Sequence, residues 1–425
     1  MYLRERIQEQ LKAWLEVARL DFQLALRNVL RQRRRSLFGL VSISGGVVAM
    51  LLAAGFFEWN YDAMREGMIR ARIGHIQVVK PGYLEAGEAD PLSYLIPETA
   101  PERELIEAFP AVEIVAPRLT FSGLVSMGES TISFLGEGVV PSAEEKLSGA
   151  LRIVDGVDLS GPKADEAMLG QGLAQTLGVG VGANVILVVK TSSGGVNAKE
   201  LRVVGVFGTI TKAYDDYALR LPLKTAQELL RVKGVHSWLI LLDATSRTDS
   251  TLARMQEKIP TNDLEFVPWH KTATADFYNK TVSLFSKQVL VVRIMIALII
   301  VLSISNTMMT NVRERIGEIG TSMALGVTRR VVLRRLLAEG IVMGLVGGIV
   351  GAIVGIVLAH VISVIGIPMP PPPGMTSGYT AGIMVTPGIV LNALAIAVGT
   401  AFLAGLYPAR KASRLNIVDA LRQTR

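Results

Sequence analysis

Two long stretches without a charged side chain constrain this chain more than any other feature of its sequence. Residues 341–407 contain no Asp, Glu, Lys or Arg, and residues 36–57 are uncharged as well. An apolar helix needs about 20 residues to cross the hydrocarbon core of a bilayer, which is roughly 30 Å thick. Half of the 425 residues are apolar and only 19% are charged, which is unusual for a soluble chain. The sequence therefore predicts an integral membrane protein.

Four membrane spans are predicted from hydropathy. They are Leu37–Phe57, about Val289–Met309, about Ile341–Ile365 and about Pro387–Leu406. Gly366 and Pro368 follow the third span as helix stops, and Thr386 precedes Pro387 as an N-cap before a first-turn proline. The predicted fold is an α-helical membrane protein with four transmembrane helices and a mixed α/β periplasmic domain between the first and second spans. Its predicted segments are 1–35, 36–57, 58–287, 288–309, 310–340, 341–365, 366–386, 387–406 and 407–425.

The distribution of charge predicts the orientation. Segments 1–35, 310–340 and 407–425 together hold 20 basic and 8 acidic residues, whereas 58–287 holds 23 basic and 29 acidic ones. Because basic loops stay in the cytoplasm, we expect both termini there and the 230-residue segment outside. An alternative treats the first apolar run as a cleaved signal peptide, but the region before it is long and amphipathic.

The N-terminal region is predicted to form an amphipathic helix. Its apolar residues at helical spacing are Leu11, Trp14, Leu15, Ala18, Phe22, Ala25, Leu26 and Val29. Such a helix, ending in the basic run 31–35, is typical of attachment to an anionic inner leaflet. Packing against a soluble partner is the alternative.

The outer segment alternates between strand and helix patterns. The predicted strands are His75–Val79, Val112–Val115, Val185–Val189, Leu201–Val206 and Trp238–Leu242, and the predicted helices are Glu102–Ala108, Leu173–Leu177, Lys224–Arg231 and Ser250–Lys258. Turns are expected at Ser192–Gly195, Asp155-Gly156 and Pro141. We expect two subdomains, one from both ends of the segment and one from its middle.

The outer segment contains no recognisable catalytic or metal site. The four histidines are scattered, cysteine is absent, and no Gly-Lys dipeptide occurs, which excludes the common phosphate-binding loop. The Gly170-Gln171-Gly172 run is interpreted as a strand-to-helix turn, and the pairs Glu144-Glu145 and Asp215-Asp216 as solvated surface. Acidic residues interrupt the basic ones, so nucleic acid is not an expected partner. We expect a non-catalytic chain without a cofactor or metal of its own.

Glycine spacing in the third span predicts close helix packing. Gly347, Gly351 and Gly355 follow each other at intervals of four, and Gly344 with Gly348 forms an adjacent ridge. Small residues at such spacing allow another helix to approach closely, although a glycine-rich lipid-facing helix is the alternative.

The expected directions of three polar side chains within the predicted spans can also be stated. Arg293 is expected to extend to the outer interface, and Asn306 and His360 are expected to face protein.

The segment after the second span contains a short helix bounded by Gly320 and Gly326. Beyond it, Thr328 precedes a helix of about 37 residues from Arg329, roughly 55 Å long at 1.5 Å per residue. Such a helix would project from the membrane and hold the short helix below it, as a motor subunit would require. An ordinary basic loop is the alternative.

Specific residues here resemble the coupling-helix motif of the ABC permeases that include MacB-type macrolide exporters, the FtsX cell-division protein and the Lol lipoprotein-releasing permeases. The matching residues are Asn306, Val312, Arg313, Glu314, Arg315, Glu318, Ile319, Gly320, Ala324, Leu325 and Gly326. The tail from Pro408 to Arg422 resembles the C-terminal signature of the same family, except that Ile417 replaces a usual proline. The runs Met168–Gly182 and Val204–Leu223 resemble Lol and MacB periplasmic domains.

The resemblance implies a permease that pairs with a second permease copy or a paralogue. A separate ABC ATPase dimer, which would bind ATP and magnesium, would dock on Arg313 to Arg315 and on Glu318 to Gly326. The expected location is the bacterial inner membrane.

The expected function is release of a lipoprotein or another lipophilic cargo, closest to the Lol permeases, with a possible periplasmic chaperone or adaptor. The alternatives are a MacB-like efflux permease and an FtsX-like transmitter that activates an extracytoplasmic enzyme.

Overall fold

The structure is a computed structural model that describes residues 20–27, 33–87, 90–147, 151–209, 212–259, 263–371 and 378–414. Predictions for the apolar face before Leu20 and for the tail beyond Arg414 lie outside these residues. The chain divides into two compact units. The membrane unit comprises the residues up to Tyr61, Val282–Ile367 and the residues from Thr380 onward, and the outer unit comprises Asp62–Thr281 and Pro368–Tyr379.

The helices are numbered in chain order. They are α1 Arg33–Met68, α2 Tyr83–Ala86, α3 Glu102–Glu107, α4 Pro141–Leu147, α5 Gln171–Leu177, α6 Lys212–Asp215, α7 Leu223–Leu230, α8 Thr248–Lys258, α9 Ala273–Glu314, α10 Ile316–Ala324, α11 Arg329–Ile365 and α12 Pro387–Ser413.

The strands follow the same order. They are β1 Ile76–Val79, β2 Ile96–Pro97, β3 Val112–Met127, β4 Ser130–Val139, β5 Arg152–Gly156, β6 Glu166–Gly170, β7 Asn184–Lys190, β8 Val196–Gly208, β9 Ala218–Pro222, β10 Gly234–Val235, β11 Ser237–Leu242, β12 Glu265–Pro268, β13 Ile367–Met369 and β14 Tyr379–Ala381.

Within the described ranges, four helices are long and apolar enough to cross a membrane: α1, α9, α11 and α12. Each of the four predicted spans is therefore confirmed as part of a long apolar helix. The helices extend beyond the predicted apolar segments because charged residues such as Glu58 and Arg313 can continue a helix once it reaches water. The Thr386 hydroxyl accepts a hydrogen bond from the Ile389 backbone N–H, so the predicted cap of α12 is confirmed. Thr328 precedes α11 without a side-chain cap bond.

The short helical segment 20–27 packs on the chain's own membrane helices. Ala25 is buried in the cluster formed by those helices, and the buried Asp21 carboxylate forms ion pairs with Arg334 and Arg335. Phe22, which the sequence placed on the buried face, is 41% exposed. The sequence suggested that this helix contacts either the inner leaflet or a soluble partner, and it did not suggest contact with the chain's own helices. An ion pair between Asp21 and Arg334 leaves no local pattern, because the two residues lie far apart in the sequence.

In the outer unit, ten strands of the described residues form one sheet, in which β3 connects two groups of strands. Its first half pairs with β11 up to Arg118, and its second half pairs with β4 and β7 from Leu119 onward. The β1, β11 and β12 strands come from the two ends of the outer segment and pair with one another. One buried apolar cluster contains side chains from both groups of strands, for example Ile76 of β1 and Leu221 of β9.

All five predicted strands and all four predicted helices of the outer segment occur, with ends shifted by a few residues except in β3 and β8, which are much longer. The other five strands of the sheet, β4, β5, β6, β9 and β12, were not predicted. In β4, Glu137 lies between two glycines, a composition typical of turns. The predicted turn at Pro141 instead begins α4, since proline fits a first helical turn. Asp155 and Gly156 end β5, with Gly156 at φ +79°.

Candidate functional site

The segment between the second and third spans folds into a short helix between two long ones. Arg315 separates α9 from α10, with φ −101° and ψ 14° outside the helical range. At the other end, Gly326 has φ +99°, a conformation that is strained for residues with a Cβ. Its backbone N–H donates to the Met323 carbonyl and closes the helix. The predicted boundary at Gly326 is therefore confirmed, but the predicted boundary at Gly320 is wrong, because the helix already begins at Ile316.

One face of α10 is anchored to the rest of the membrane unit. Met323 is 8% exposed and belongs to a buried cluster with Val312 of α9 and Leu336 of α11. Ala409 and Ala412 of α12 complete this cluster. A helix of nine residues is too short to be stable alone, so these contacts hold it in place.

The predicted coupling residues divide between two faces. Exposed ones are Arg313, Glu314, Glu318, Ala324, Leu325 and Gly326, whereas Arg315, Ile319 and Gly320 are partly or fully buried. Leu325 is 83% exposed, which makes it the most exposed large apolar side chain among the described residues. A single exposed apolar side chain is common on protein surfaces, so Leu325 is of interest because of its position at the C-terminal end of α10.

Arg315 points towards the long helix instead of away from it. Its Nε donates to the Glu318 carboxylate at 3.1 Å, and one Nη lies 3.5 Å from Glu339 of α11. The Glu339 side chain is 10% exposed. The sequence motif predicted a partner contact for Arg315 and gave no role to Glu339, because a pair 24 residues apart leaves no local pattern. In the structure the pair orients the start of α10.

The two glycine ridges of α11 lie against two different helices. A Cβ at Gly347, Gly351 or Gly355 would meet atoms of α1, and a Cβ at Gly344 or Gly348 would meet atoms of α12. At Gly351 the nearest atoms, at 2.7–2.8 Å, include the backbone of Ser44. Three serines that were not predicted to make contacts add two hydrogen bonds: Ser44 donates to the Gly347 carbonyl at 2.8 Å, and Ser303 donates to Ser42 at 2.7 Å.

The described residues of this chain do not cover Asn306 or His360, so the protein contact expected for both would have to come from another chain. Both side chains are exposed on α9 and α11. Helical spacing places Asn306 in line with the exposed apolar residues Leu298 and Leu302. A single chain therefore leaves this face of α9 to lipid or to another protein.

The outer unit contains a buried group of four charged side chains at the middle of β3. Arg118, Glu137, Glu144 and Arg220 are each at most 5% exposed. Arg118 lies 3.0 Å from Glu137, and Arg220 lies 3.1 Å from Glu144 and 3.2 Å from Glu137; Arg118 also bonds Glu144. Burial alone would lower the pKa of Arg118, but Glu144 and Glu137 outweigh burial and raise it. The prediction that Glu144 lies on the solvated surface is therefore wrong, because its side chain is buried in this group.

The Gly170-Gln171-Gly172 turn joins β6 to α5, as predicted. A Cβ at Gly170 would lie 2.3 Å from the Asp215 carbonyl, and one at Gly172 would lie 2.0 Å from the Asp216 carboxylate. The glycines therefore allow close approach of α6. Buried Asp215 accepts bonds from Thr209, and burial raises its pKa in spite of these bonds. The Asp216 carboxylate at this turn would repel a phosphate, so the residues do not fit a nucleotide.

Two of the histidines are buried and held neutral. His75 accepts from the Leu242 N–H through Nδ1, and His236 accepts from the Thr120 N–H in the same way. Burial lowers the pKa of each to about 4. Among the described residues, no group of three His, Asp or Glu side chains converges as a metal site. These histidines stabilise the sheet locally.

Two protein families match this chain. Residues 36–258 match the MacB-like periplasmic core domain, and residues 290–417 match the FtsX-like permease C-terminal domain. The first match covers more than half of the chain, and its range includes α1 and most of the outer unit. The second includes α10, α11, α12 and most of the membrane-spanning part of α9.

Individual relatives match over a shorter stretch. The chain is 38% identical over 119 residues to a macrolide export ATP-binding/permease protein MacB of Rhodopirellula baltica, covering 28% of this chain and 16% of that protein. It is 34% identical over 119 residues to the uncharacterized ABC transporter permease YvrN of Bacillus subtilis, and this match covers 28% of this chain and 26% of that permease. The match thus spans no more than about a quarter of either relative.

A solved periplasmic region of MacB from Actinobacillus actinomycetemcomitans is also similar. The two chains share 13% sequence identity, and the match covers 51% of this chain and 96% of the solved region, with a TM-score of 0.36.

Proposed function

Since this chain belongs to the MacB/FtsX-like family of ABC transporter permeases, we propose that it is the subunit on which a separate ATPase dimer acts through α10. As a member of this family with four apolar helices, it is a multi-pass protein of the bacterial inner membrane. The observation that carries the proposal is the two-sided character of α10, with Met323 anchored and Leu325 exposed. A short helix of this kind can receive a push on one face and pass it on through the other.

The proposed transmission follows the helices that meet at α10. ATP and magnesium would bind the partner, and closure of the ATPase dimer would displace Glu318 and Leu325. The buried cluster connects α10 to α9, α11 and α12, and the Arg315–Glu339 pair prevents α10 from turning independently. The movement would reach the outer segment through α9, which runs without a break from Ala273 to Glu314.

A second permease copy or a paralogue is part of the proposal. Exposed Asn306 would lie in hydrocarbon in a lone chain, where polar side chains are costly. α9 is also the least buried of the four apolar helices. Both observations support a second permease covering this face of α9.

The coupling proposal predicts that Leu325→Asp and Glu318→Lys each reduce the ATPase rate of the reconstituted complex to that of the ATPase alone. An aspartate at position 325 removes an apolar anchor, and a lysine at position 318 reverses its charge. Lys411→Glu is the control, because it reverses an exposed charge on α12 outside the proposed contact. The measurement is ATP hydrolysis in nanodiscs, with insertion checked by size-exclusion chromatography. Full stimulation by both variants would refute docking through α10.

For the cargo, we propose a lipoprotein or another lipophilic molecule released from the outer leaflet. The resemblance of the runs Met168–Gly182 and Val204–Leu223 to the periplasmic domains of Lol permeases, as well as to those of MacB, supports this choice. The second candidate is efflux with a periplasmic adaptor, which is supported by the macrolide export name of one relative.

Depletion of the chain distinguishes the two cargo candidates. Release predicts that lipoproteins accumulate in the inner membrane, as measured by membrane fractionation. Efflux predicts normal lipoprotein sorting with increased sensitivity to amphiphilic drugs. Normal sorting would therefore contradict the lipoprotein proposal.

A further inference from the structure

A small crevice lies between α1 and α9, towards the outer end of both spans. Its lining residues are Met50, Ala53, Ala54, Phe57, Val289, Val292, Arg293 and Ile296. The cavity volume is about 40 Å³. Seven of these side chains are apolar, so Arg293 is the single charged group in the lining.

Arg293 is incompletely satisfied within the chain. Its Nε is buried and has no hydrogen-bond partner in the described residues. A buried donor without a partner destabilises the folded chain, and more strongly when the group is charged. An interfacial position, as the sequence suggested, leaves this Nε without a partner unless a group at the interface accepts from it. The arrangement therefore favours an external acceptor at this position.

The depth of Arg293 indicates where that acceptor comes from. It precedes Arg313 by 20 residues in one continuous helix, or about 30 Å at 1.5 Å per residue. This length equals the thickness of the hydrocarbon core. If the charged Arg313 marks the cytoplasmic boundary of the core, this spacing places Arg293 at the outer boundary, next to the lipid phosphates.

Water and a free ion are poorer occupants. A buried water needs two to four polar partners, and the lining offers only the Arg293 guanidinium. A free phosphate would leave the apolar walls formed by Phe57 and Val292 without a contact. The volume is also well below the ~150 Å³ of a cavity that holds benzene, so only part of an acyl chain enters.

We propose that this crevice binds an anionic phospholipid of the outer leaflet, with its phosphate on Arg293 and part of one acyl chain between α1 and α9. Guanidinium pairs with phosphate through two parallel N–H bonds, and the apolar lining matches the chain. The proposal does not depend on the ATPase, so it can hold even if coupling through α10 fails.

The test is retention of phosphatidylglycerol against phosphatidylcholine by the purified full chain, measured by native mass spectrometry from nanodiscs containing both. We expect Arg293→Gln to weaken phosphatidylglycerol binding at least tenfold and Arg293→Lys to weaken it less. Lys287→Gln is the matched control, because it removes an exposed charge from the same helix. Ala53→Phe should also weaken binding, since it fills the crevice while the charge remains.

Three results would overturn the proposal. They are wild-type retention by both Arg293→Gln and Ala53→Phe, an equal loss in Lys287→Gln, and full competition by inorganic phosphate. The second result would indicate general surface attraction, and the third would indicate an ion site that needs no lipid. Size-exclusion chromatography establishes that each variant is folded.

Discussion

Glu144→Ala is expected to lower the unfolding free energy of the outer unit by about 3–5 kcal/mol, the usual cost of removing one partner from a buried ion pair. Without Glu144, Arg118 and Arg220 share the single carboxylate of Glu137 while both remain buried. Repulsion between the two guanidinium groups then adds to the loss of two ion pairs.

Glu145→Ala is a closely matched control. It removes the same side chain one position further along α4, where the residue is exposed, and surface changes of this kind stay within about 0.5 kcal/mol. Urea unfolding of the full chain in detergent, followed by tryptophan fluorescence, measures the difference, because Trp238 is 1% exposed in the core of this unit. Equal midpoints for Glu144→Ala and Glu145→Ala would contradict the structural role of the group.

The paired variant Arg118→Met/Glu144→Leu provides a further check on the same group. It removes one cation and one anion together and replaces them with apolar side chains of similar length. Such replacements are often neutral, so the pair should be more stable than Glu144→Ala. A double-mutant cycle on these two positions would give their interaction energy directly.

Gly351→Ala is expected to destabilise the membrane unit by about 1–3 kcal/mol, because even one methyl group overfills the contact with α1. The added Cβ would lie 2.7 Å from the Ser44 carbonyl oxygen, which belongs to the backbone and cannot rotate away. Helix propensity alone acts in the opposite direction, since alanine is favoured over glycine by about 1 kcal/mol. The sign of the effect therefore distinguishes packing from propensity.

Gly399→Ala is the control for this prediction. Gly399 lies within α12, and a Cβ there would have nothing within 4 Å. Thermal unfolding of both variants in the same detergent should show a lower midpoint for Gly351→Ala and an unchanged or higher one for Gly399→Ala. If both variants unfold at the same temperature, α1 and α11 are not in close contact at Gly351.

The glycine ridges show how far sequence reasoning could go in the membrane unit. The spacing of Gly347, Gly351 and Gly355 predicts that a helix packs on α11, because glycines four residues apart share one helix face. The identity of that helix is not a local property. Only the folded chain shows that this ridge meets α1 and that Gly344 meets α12.

The segment around α10 shows the same division. The nine predicted coupling positions all lie between Arg313 and Gly326, so one sequence motif identifies them together. Their directions depend on the buried cluster around Met323 and on Glu339 of α11. As a result, Arg315 faces inward and Leu325 faces outward, although both belong to one motif.

By itself, the sequence determined the membrane class, the four spans and the broad α/β character of the outer segment. A bilayer acts on each segment separately, so hydropathy within about 20 residues is sufficient to predict a span. The tertiary structure decided which polar groups are buried and with what partners. Glu144 and Arg220 are 76 positions apart, and Ser44 and Gly347 are 303 apart. Burial and pairing of this kind depend on chain segments that only folding brings together.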